Sequence, residues 1–335
     1  KISFHFHIIW MNFNISTIVE DIFSSYKEGF IPVIYGPTAT GKTRLSLELA
    51  KKLWKPVEIV SADSRQVYKQ LNIWTDKIDE SIRAEIPHHQ IDIIDPNEIY
   101  TAWQWQQDTY QIIEEILKRD HIPMIVGGTG LYIDTIVYNF SMHTCEPDQA
   151  YRDRLEELES KNPGTVWKML QEIDPIEAAK NHPHSTRFIV RALEIYHVSG
   201  QTKTELMKKN PPRYPLLMIG LQQDVNIWNK LIDERIELMI KNGLVEEVKW
   251  LLEKGYDPSL TSLKTIDYKQ TVQYIQGIVS YSDYIKSLQI INHQLAKKQR
   301  TRFRRCSKNE EESWLLERQN NDIHYLNYYL PDYIF

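Results

Sequence analysis

The chain has 335 residues, of which 42% are hydrophobic, so it can bury a large core in more than one packed unit. A formal net charge of −5 argues against a surface that is positive throughout, although local basic patches can still hold a polyanion. The two cysteines, Cys145 and Cys306, indicate neither a disulfide framework nor a structural zinc site. No apolar run approaches the roughly 20 residues that span a bilayer. We expect a cytoplasmic monomer with no membrane partner.

The first predicted elements are a strand, a glycine turn and a helix within residues 31–53. The apolar strand Ile31–Tyr35 is followed by Gly-x4-Gly-Lys-Thr, and leucines then recur at helical spacing. In this pattern Gly36 and Gly41 allow the backbone to turn and aim its N–H groups inward, while Lys42 supplies a positive charge. The hydroxyl of Thr43 lies where Mg²⁺ would bind. The pattern predicts an oligophosphate site, the phosphate loop, made of Gly36, Pro37, Thr38, Ala39, Thr40, Gly41, Lys42 and Thr43.

Further along the chain, short apolar runs alternate with helical stretches, which predicts an α/β fold with a parallel sheet flanked by helices. Strands are expected at residues 31–35, 57–61, 91–94, 123–126 and 216–221. Thr101 with Gln104 predicts a capping box at the start of a helix that ends at about Lys118. On that helix, Trp103 and Trp105 are better suited to packing than to base stacking.

The domain organisation follows from a change of pattern after residue 144. We predict an N-terminal extension and helix at 1–29, a phosphate-binding core at 30–144 and a helical insertion at 145–200 without strand signals. Residues 201–335 are expected to return to the core and to continue as C-terminal helices. Within them, helices are predicted at 226–254 and 282–305.

Two further loops follow predicted strands. Asp63 lies just after the strand Val57–Ser61, and Gly127-Gly128-Thr129-Gly130 follows the strand at 123–126. Because ligands bind beyond the carboxyl ends of parallel strands, we expect Asp63 and the phosphate loop to share one crevice. A carboxylate there can hold Mg²⁺ through water, accept a proton from a nucleophile, or cap the following helix through Ser64. The adjacent His88 and His89 point in different directions on a regular backbone and are better suited to positioning a loop than to binding a metal.

These motifs together carry a resemblance to a known family. The segments GPTATGKT, SADSRQVYK, PHHQIDIIDP and VGGTGLYI occur in the order and spacing of the bacterial-type tRNA dimethylallyltransferases, also called tRNA isopentenyltransferases. The resemblance continues through residues 184–202, 232–248, 267–270 and 295–305. It implies a P-loop-type fold with a tRNA-binding helical insertion and C-terminal helices. The implied reaction transfers the dimethylallyl group of dimethylallyl diphosphate to the exocyclic amine of the adenosine beside the anticodon, with Mg²⁺ as cofactor.

The resemblance also assigns expected roles to individual residues. Asp63 matches the general base, Arg235 matches an arginine directed at the diphosphate, and Thr43 is expected at Mg²⁺. These roles suit the chemistry, because donors and cations stabilise the leaving diphosphate while a carboxylate deprotonates the amine. Contacts with the tRNA anticodon arm are expected from Asp63, Ser64, Arg65, Gln66, Thr129, Arg152, Arg187, Arg191, Lys264, Tyr268, Lys269, Lys297, Lys298 and Arg300. The last three lie in the basic run at 297–305, which suits phosphate contacts.

The sequence departs from the usual pattern of the family at several positions. Trp74 replaces a usual Gly and is expected to crowd the loop near the base pocket, and Asp267 replaces another Gly and is expected to repel RNA phosphates. The remaining departures are Lys230, Asn292, His293 and Arg302. Most of them lie in the C-terminal part, so the resemblance supports the reaction more firmly than the choice of tRNA.

Three other functions remain open from the residues. A small-molecule or nucleotide kinase would use ATP in the same phosphate loop and would release phosphate without prenyl transfer. An RNA-binding module without catalysis would tolerate Asp63→Ala. An adenylate dimethylallyltransferase would act on free nucleotides, but a mononucleotide needs neither the helical insertion nor the basic run at 297–305.

Overall fold

The computed structural model describes residues 20, 29–143, 145–222, 224–263, 266–308 and 323–329. The chain divides into two compact units, one formed by Lys1–Ile133 with Tyr214–Phe335 and the other by Asp134–Arg213. The second unit extends beyond the predicted insertion at 145–200 on both sides. Among the described residues, no helix is both long and apolar enough to cross a membrane.

The first unit is built on a parallel sheet, which confirms the predicted fold class. The strands are β1 (Ile31–Tyr35), β2 (Val57–Ser61), β3 (His88–His89), β4 (Ile122–Gly127), β5 (Leu216–Gln222) and β6 (Ile323–Tyr329), in the order β3-β2-β4-β1-β5-β6. Every neighbouring pair is parallel, with Ile34 of β1 opposite Val126 of β4 and Ile219 of β5. The carboxyl ends of these strands therefore meet at one edge, where the loops after β1, β2 and β4 begin.

The prediction of a strand at residues 91–94 is wrong. The edge strand is formed by His88–His89 instead. Gln90 and Asp92 have φ angles of 65° and 57°, which interrupt the extended backbone directly after β3. The carboxylate of Asp92 is held 2.5 Å from the ammonium group of Lys77. An apolar run therefore predicted a strand where the chain folds into a turn around an ion pair. The strand β6 was not predicted either.

Helices flank the sheet and form the second unit. They are α1 (Lys42–Lys52), α2 (Glu80–Glu85), α3 (Ala102–Lys118), α4 (Gly130–Val137), α5 (Gln149–Lys161), α6 (Thr165–Ile173), α7 (Pro175–Lys180), α8 (Thr186–Ser199), α9 (Lys203–Leu206), α10 (Val225–Lys241), α11 (Leu244–Glu253), α12 (Ile266–Ile275) and α13 (Tyr281–Lys308). The helices predicted at 226–254 and 282–305 correspond to α10 with α11 and to α13. Gly243, with φ of 100°, divides the first of these, and α12 was not predicted.

The packing of α1 and α3 follows from their sequences. Leu45 and Leu49 of α1 are buried against the sheet. Burial of each leucine side chain stabilises the fold by about 1.5–3 kcal/mol. The predicted capping box of α3 is confirmed, since the side chains of Thr101 and Gln104 bond each other's backbone N–H groups. Trp105 is a packing residue as predicted: its indole N–H donates to the carbonyl of Ser61 at 3.0 Å at the end of β2.

The C-terminal helices and the second unit have cores of their own. Side chains of α10, α11, α12 and α13 pack with Val67, Tyr68 and Leu71 from the segment after β2. In the second unit, α5, α6 and α8 contribute Leu155, Leu170 and other apolar side chains to a separate cluster. The loop after β2 is thus fixed from the side of the C-terminal helices.

Candidate active site

The phosphate loop joins β1 to α1. Gly41 adopts a left-handed conformation, with φ of 75°, at the start of α1, and Ala39 is also left-handed at 59°. Gly36 requires the absence of a side chain, because a Cβ there would lie 2.7 Å from the carbonyl oxygen of Leu221. The ammonium group of Lys42 donates to the carbonyl of Pro37 at 2.5 Å across the loop. The loop thus holds the cation at the N-terminus of a helix, where anions bind.

The two glycines after β4 bring the three loops together. A Cβ on Gly127 would lie 2.2 Å from the carbonyl oxygen of Ala62, the residue before Asp63. A Cβ on Gly128 would lie 3.3 Å from the carbonyl oxygen of Gly36 and 3.8 Å from the ammonium nitrogen of Lys42. Both glycines are buried. Their backbone therefore approaches the loop of Asp63 on one side and the phosphate loop on the other.

Asp63 begins the turn after β2. One of its carboxylate oxygens accepts the backbone N–H of Arg65 at 2.8 Å, and the hydroxyl of Thr129 accepts the N–H of Ser64 at 2.9 Å. Gln66 accepts the hydroxyl of Ser61 at 2.9 Å and donates to the carbonyl of Thr75 at 3.1 Å. These bonds fix the loop of Asp63 to the loops on either side. Capping of the turn by Asp63 itself therefore occurs, and it uses one carboxylate oxygen.

The charges at the site act on one another. Burial lowers the pKa of Lys42 to about 8, the carboxylates of Asp63 and Asp76 oppose this decrease, and the guanidinium of Arg235 adds to it. Burial also raises the pKa of Tyr132, and the charge of Asp63 contributes. The structure therefore brings Asp63, Lys42 and Arg235 into one electrostatic neighbourhood. A group with a pKa near 8 is still mostly a cation at neutral pH.

Side chains of two C-terminal helices, α10 and α13, form hydrogen bonds with Thr38 of the phosphate loop. Arg235 of α10 donates to the hydroxyl of Thr38, and the indole N–H of Trp228, also on α10, donates to its carbonyl at 2.7 Å. The backbone N–H of Thr38 donates to the side-chain oxygen of Gln299 on α13 at 3.0 Å. The amide nitrogen of Gln299 in turn donates to the carbonyl of Gly128 at 3.1 Å.

Sequence reasoning missed three residues at this site: Trp228, Gln299 and Asp76. Asp76 lies 3.6 Å from the guanidinium of Arg235 and has a positive φ of 52°. The only signal for Gln299 is its place as an uncharged polar residue within the basic run at 297–305. Trp228 and Asp76 offered no such signal, because their partners lie more than 150 positions away in the chain.

The residues present suit a magnesium ion at Thr43. This residue is exposed at the first turn of α1, so its hydroxyl can reach an ion held by substrate oxygens. Mg²⁺ is commonly bound by few protein oxygens together with phosphate oxygens and water. Within the described residues, no group of three or more His, Cys, Asp or Glu side chains could hold a metal ion. Any ion at Thr43 would therefore depend on the substrate for most of its ligands.

Several residues expected to contact tRNA are exposed. Lys269 on α12, Lys297 and Lys298 on α13 and Arg187 on α8 have exposed side chains, and Arg300 is half-buried. Lys264 lies outside the described residues.

Other predicted tRNA contacts have partners inside the protein. Arg152 and Arg191, in the second unit, both donate to the buried carboxylate of Glu194 while remaining half-exposed. These hydrogen bonds hold the pKa of Glu194 below its usual value despite its burial. Tyr268 needs a correction, because its ring is buried and its hydroxyl donates to Glu247 at 2.8 Å. It therefore does not belong to an RNA-facing surface.

Two of the positions that depart from the family pattern, Trp74 and Asn292, bond a third, Asp267. Asp267 is 2% exposed, and its carboxylate accepts the indole N–H of Trp74 and, at 2.8 Å, the side-chain amide of Asn292. The expected repulsion of RNA phosphates by Asp267 is therefore wrong, since the carboxylate faces the protein interior. Of the other departures, His293 lies 2.9 Å from the carboxylate of Asp233. The side chain of Arg302 packs against Gly130, where an added Cβ would lie 2.3 Å from it.

The fold and the site define a class: an α/β protein of the P-loop type, with an anion-binding loop and a carboxylate at one edge of a parallel sheet. The sequence profile described as IPP transferase matches residues 66–306, and that described as isopentenyl transferase matches residues 30–80.

Individual proteins agree with these profiles. A tRNA dimethylallyltransferase of Pelotomaculum thermopropionicum is 36% identical over 87% of this chain and 92% of its own length. One of Caldanaerobacter subterraneus is 40% identical over 82% and 88%.

Solved structures are similar as well. The tRNA isopentenylpyrophosphate transferase of Bacillus halodurans has a TM-score of 0.60, 32% identity and 91% coverage of both chains. A eukaryotic dimethylallyltransferase acting on tRNA has a TM-score of 0.70 and 28% identity, over 89% of this chain and 73% of that one. The chain belongs to the tRNA dimethylallyltransferase family.

Proposed function

We propose that this protein transfers the dimethylallyl group of dimethylallyl diphosphate to the exocyclic amine of the adenosine beside the anticodon in certain tRNAs. The observation that carries the proposal is the arrangement around Gly127 and Gly128, which brings Asp63 and the phosphate loop to one place. In a displacement reaction, a base can deprotonate the attacking group while an adjoining anion site stabilises the leaving group. The names of the relatives support the same substrates.

The phosphate loop and Arg235 act on the leaving group. When the bond between the allylic carbon and oxygen breaks, its electron pair goes to the diphosphate, which gains negative charge. Lys42 and the backbone N–H groups of the loop stabilise that charge, and a forked guanidinium at Arg235 suits pairs of phosphate oxygens. Mg²⁺ held at Thr43 would neutralise part of the diphosphate charge.

Asp63 acts on the nucleophile. The amine nitrogen of adenine forms the new bond to the allylic carbon and must lose one proton, which the carboxylate of Asp63 accepts. The backbone N–H of Arg65 orients this carboxylate through one oxygen. Thr129, whose hydroxyl accepts the N–H of Ser64, holds the loop from the opposite side, and in this proposal it contacts the adenosine. The stacked base must first be drawn out of the anticodon arm.

The exposed basic residues supply the RNA contacts in this proposal. Lys269, Lys297 and Lys298 belong to the first unit and Arg187 to the second, so both units would contribute phosphate contacts. Arg152 and Arg191 would contact RNA with the faces that Glu194 leaves exposed. We further propose that the protein acts as a cytoplasmic monomer.

The experiment that tests the function is transfer of label from radiolabelled dimethylallyl diphosphate to unmodified tRNA, with Asp63→Asn alongside the native chain. Asparagine keeps an oxygen for the N–H of Arg65 but cannot accept the proton. We expect labelled RNA from the native chain and a rate lower by about two to four orders of magnitude for the variant, the usual value of a positioned base. Asp120→Asn, at an exposed site beside Lys55, is the matched control and should leave the rate unchanged.

Parallel incubations with ATP and with free adenine nucleotides separate the alternatives. Release of phosphate from ATP without labelled RNA would indicate a kinase. Label in free adenine nucleotides in preference to tRNA would indicate an adenylate dimethylallyltransferase. Transfer by Asp63→Asn at the native rate would remove Asp63 from the mechanism.

A further inference from the structure

A short loop connects the diphosphate side of the site with the C-terminal helices. This loop, residues 72–77, runs from Asn72 to Lys77, and we call it the 72–77 loop. The carboxylate of Glu247 on α11 accepts the backbone N–H groups of Asn72 and Ile73, both at 2.8 Å. One end of the loop is therefore attached to α11 through its backbone.

The middle of the loop is attached to α12 and α13 by a buried side-chain network. The indole N–H of Trp74 donates to Asp267, and the indole packs nearly perpendicular to the ring of Tyr268, with centroids 5.6 Å apart and an angle of 78°. Asn292 donates to the other oxygen of Asp267 at 2.8 Å. A buried carboxylate with two charge-assisted hydrogen bonds gives the indole one well-defined position.

The residues next to Trp74 contact the site itself. The carbonyl of Thr75 accepts the amide of Gln66 at 3.1 Å, and the carboxylate of Asp76 lies 3.6 Å from the Nε of Arg235. On its other edge, the guanidinium of Arg235 donates to Thr38 in the phosphate loop. Thr38 thus bonds the guanidinium on one side, while Asp76, two residues after Trp74 in the same loop, attracts it as an ion pair without a hydrogen bond to its Nε.

We propose that the hydrogen bond between Trp74 and Asp267 is a latch that fixes the 72–77 loop and thereby positions Arg235 for the diphosphate. Asp267 and Trp74 are positioning residues, since they act through Asp76 and Arg235. The proposal rests on the proposed function, because the diphosphate is the ligand of that same site. It gives a role to two side chains that sequence reasoning regarded only as departures from the family pattern.

The test measures binding of dimethylallyl diphosphate by titration calorimetry without tRNA, for the native chain, Trp74→Phe, Asp267→Ala and Asp267→Asn. Phenylalanine keeps an aromatic ring and removes the N–H, and we expect binding about tenfold weaker, which corresponds to loss of one hydrogen bond to a charged group. Asp267→Ala should weaken binding to a similar extent. Asp267→Asn should weaken binding less than Asp267→Ala, because its side-chain oxygen still accepts the indole N–H, although its NH2 group then faces the side-chain amide of Asn292.

A double variant and a matched control make the test specific. Trp74→Phe combined with Asp267→Ala should weaken binding by much less than the product of the single effects, since both remove the same bond. Trp167→Phe is the control: the indole N–H of Trp167 also donates a hydrogen bond, to the backbone carbonyl of Ala178, but in the second unit. It should leave the affinity for dimethylallyl diphosphate unchanged.

Steady-state kinetics distinguish positioning from a loss of stability. Below the melting temperature of each variant, we expect Trp74→Phe to raise the KM for dimethylallyl diphosphate about tenfold and to lower kcat, because Arg235 acts on the leaving group, while the KM for tRNA changes less than threefold. Native affinity in Trp74→Phe and Asp267→Ala, or equal weakening in Trp167→Phe, would overturn the latch. A native chain that binds dimethylallyl diphosphate without transferring the dimethylallyl group to tRNA would refute the proposed function. The binding affinities measured by calorimetry would still test the latch in that case.

Discussion

Gly127→Ala tests whether the backbone contact between the loops after β2 and β4 sets the position of Asp63. A Cβ at this position would lie 2.2, 2.4 and 2.7 Å from the carbonyl oxygen, carbonyl carbon and Cα of Ala62, whereas ordinary contact begins at 3.4 Å. The two backbones must therefore separate by about 1.2 Å, the difference between 3.4 and 2.2 Å. Neither partner is a flexible side chain, so the strain cannot be relieved by rotation of a single bond.

Two hydrogen bonds resist this separation. The N–H of Ala62 donates to the carbonyl of Val126 at 2.8 Å, and the N–H of Thr129 donates to the carbonyl of Ala62 at 3.0 Å. We expect the free energy of unfolding to fall by about 3 kcal/mol, the upper end for overpacking in a close-packed region. Because Asp63 is the next residue, its carboxylate moves with Ala62. A misplacement of about 1 Å can cost about a hundredfold in rate, and we expect kcat to fall by that amount.

The assay combines urea unfolding with single-turnover transfer to tRNA at saturating dimethylallyl diphosphate. Gly255→Ala is the control for a glycine substitution without a clash, since Gly255 is left-handed, with φ of 85°, unlike Gly127, and has no atom within 4 Å of an added Cβ. It should cost about 1 kcal/mol for the left-handed backbone and leave kcat unchanged. If Gly127→Ala reduces kcat by no more than Gly255→Ala, then the contact with Ala62 does not position Asp63, and the argument for a shared crevice fails.

Two further predictions concern the C-terminal helices. Burial raises the pKa of Asp267 to about 6, so between roughly pH 4 and 6 the unfolded chain loses this proton first and native stability falls as pH rises. Urea unfolding at pH 4.5 and 7 should show that Asp267→Asn lacks this decrease, which is at most about 3 kcal/mol; equal pH dependence in both proteins would contradict it. Gln299→Ala should lower the free energy of unfolding by about 2 kcal/mol through the bonds to Thr38 and Gly128, whereas Gln294→Ala, exposed on the same helix, should have almost no effect.

Local patterns predicted the elements near the phosphate loop well. The strand Ile31–Tyr35, the turn at Gly41 and the capping box at Thr101 each depend on residues a few positions apart, so the sequence contains the whole signal. The strand expected at 91–94 failed because Asp92 pairs with Lys77, 15 positions away, and periodicity does not show such a pair. The break at Gly243 was missed for a different reason, since the apolar pattern continues on both sides of it.

The departures from the family pattern show the same limit more clearly. Taken singly, Trp74 predicts crowding and Asp267 predicts repulsion of RNA, because a bulky or acidic side chain replaces glycine at each position. Taken together, they form a donor and an acceptor in one buried hydrogen bond, with Asn292 as a second donor. The partners are 193 and 25 positions apart from Asp267 in the chain, so only the folded structure reveals that the changes compensate one another.

Thr38 ties the C-terminal helices to the phosphate loop, so their proposed role is not confined to RNA binding. Its N–H, its carbonyl and its hydroxyl are bonded to Gln299, Trp228 and Arg235, which lie 261, 190 and 197 positions further along the chain. A phosphate loop is a local motif, yet here the backbone and side chain of one of its central residues are fixed by α10 and α13. Because α13 also carries the exposed Lys297 and Lys298, RNA bound to these lysines would restrict the helix that holds Thr38. The proposed RNA contacts and the proposed diphosphate site thus share one helix, α13.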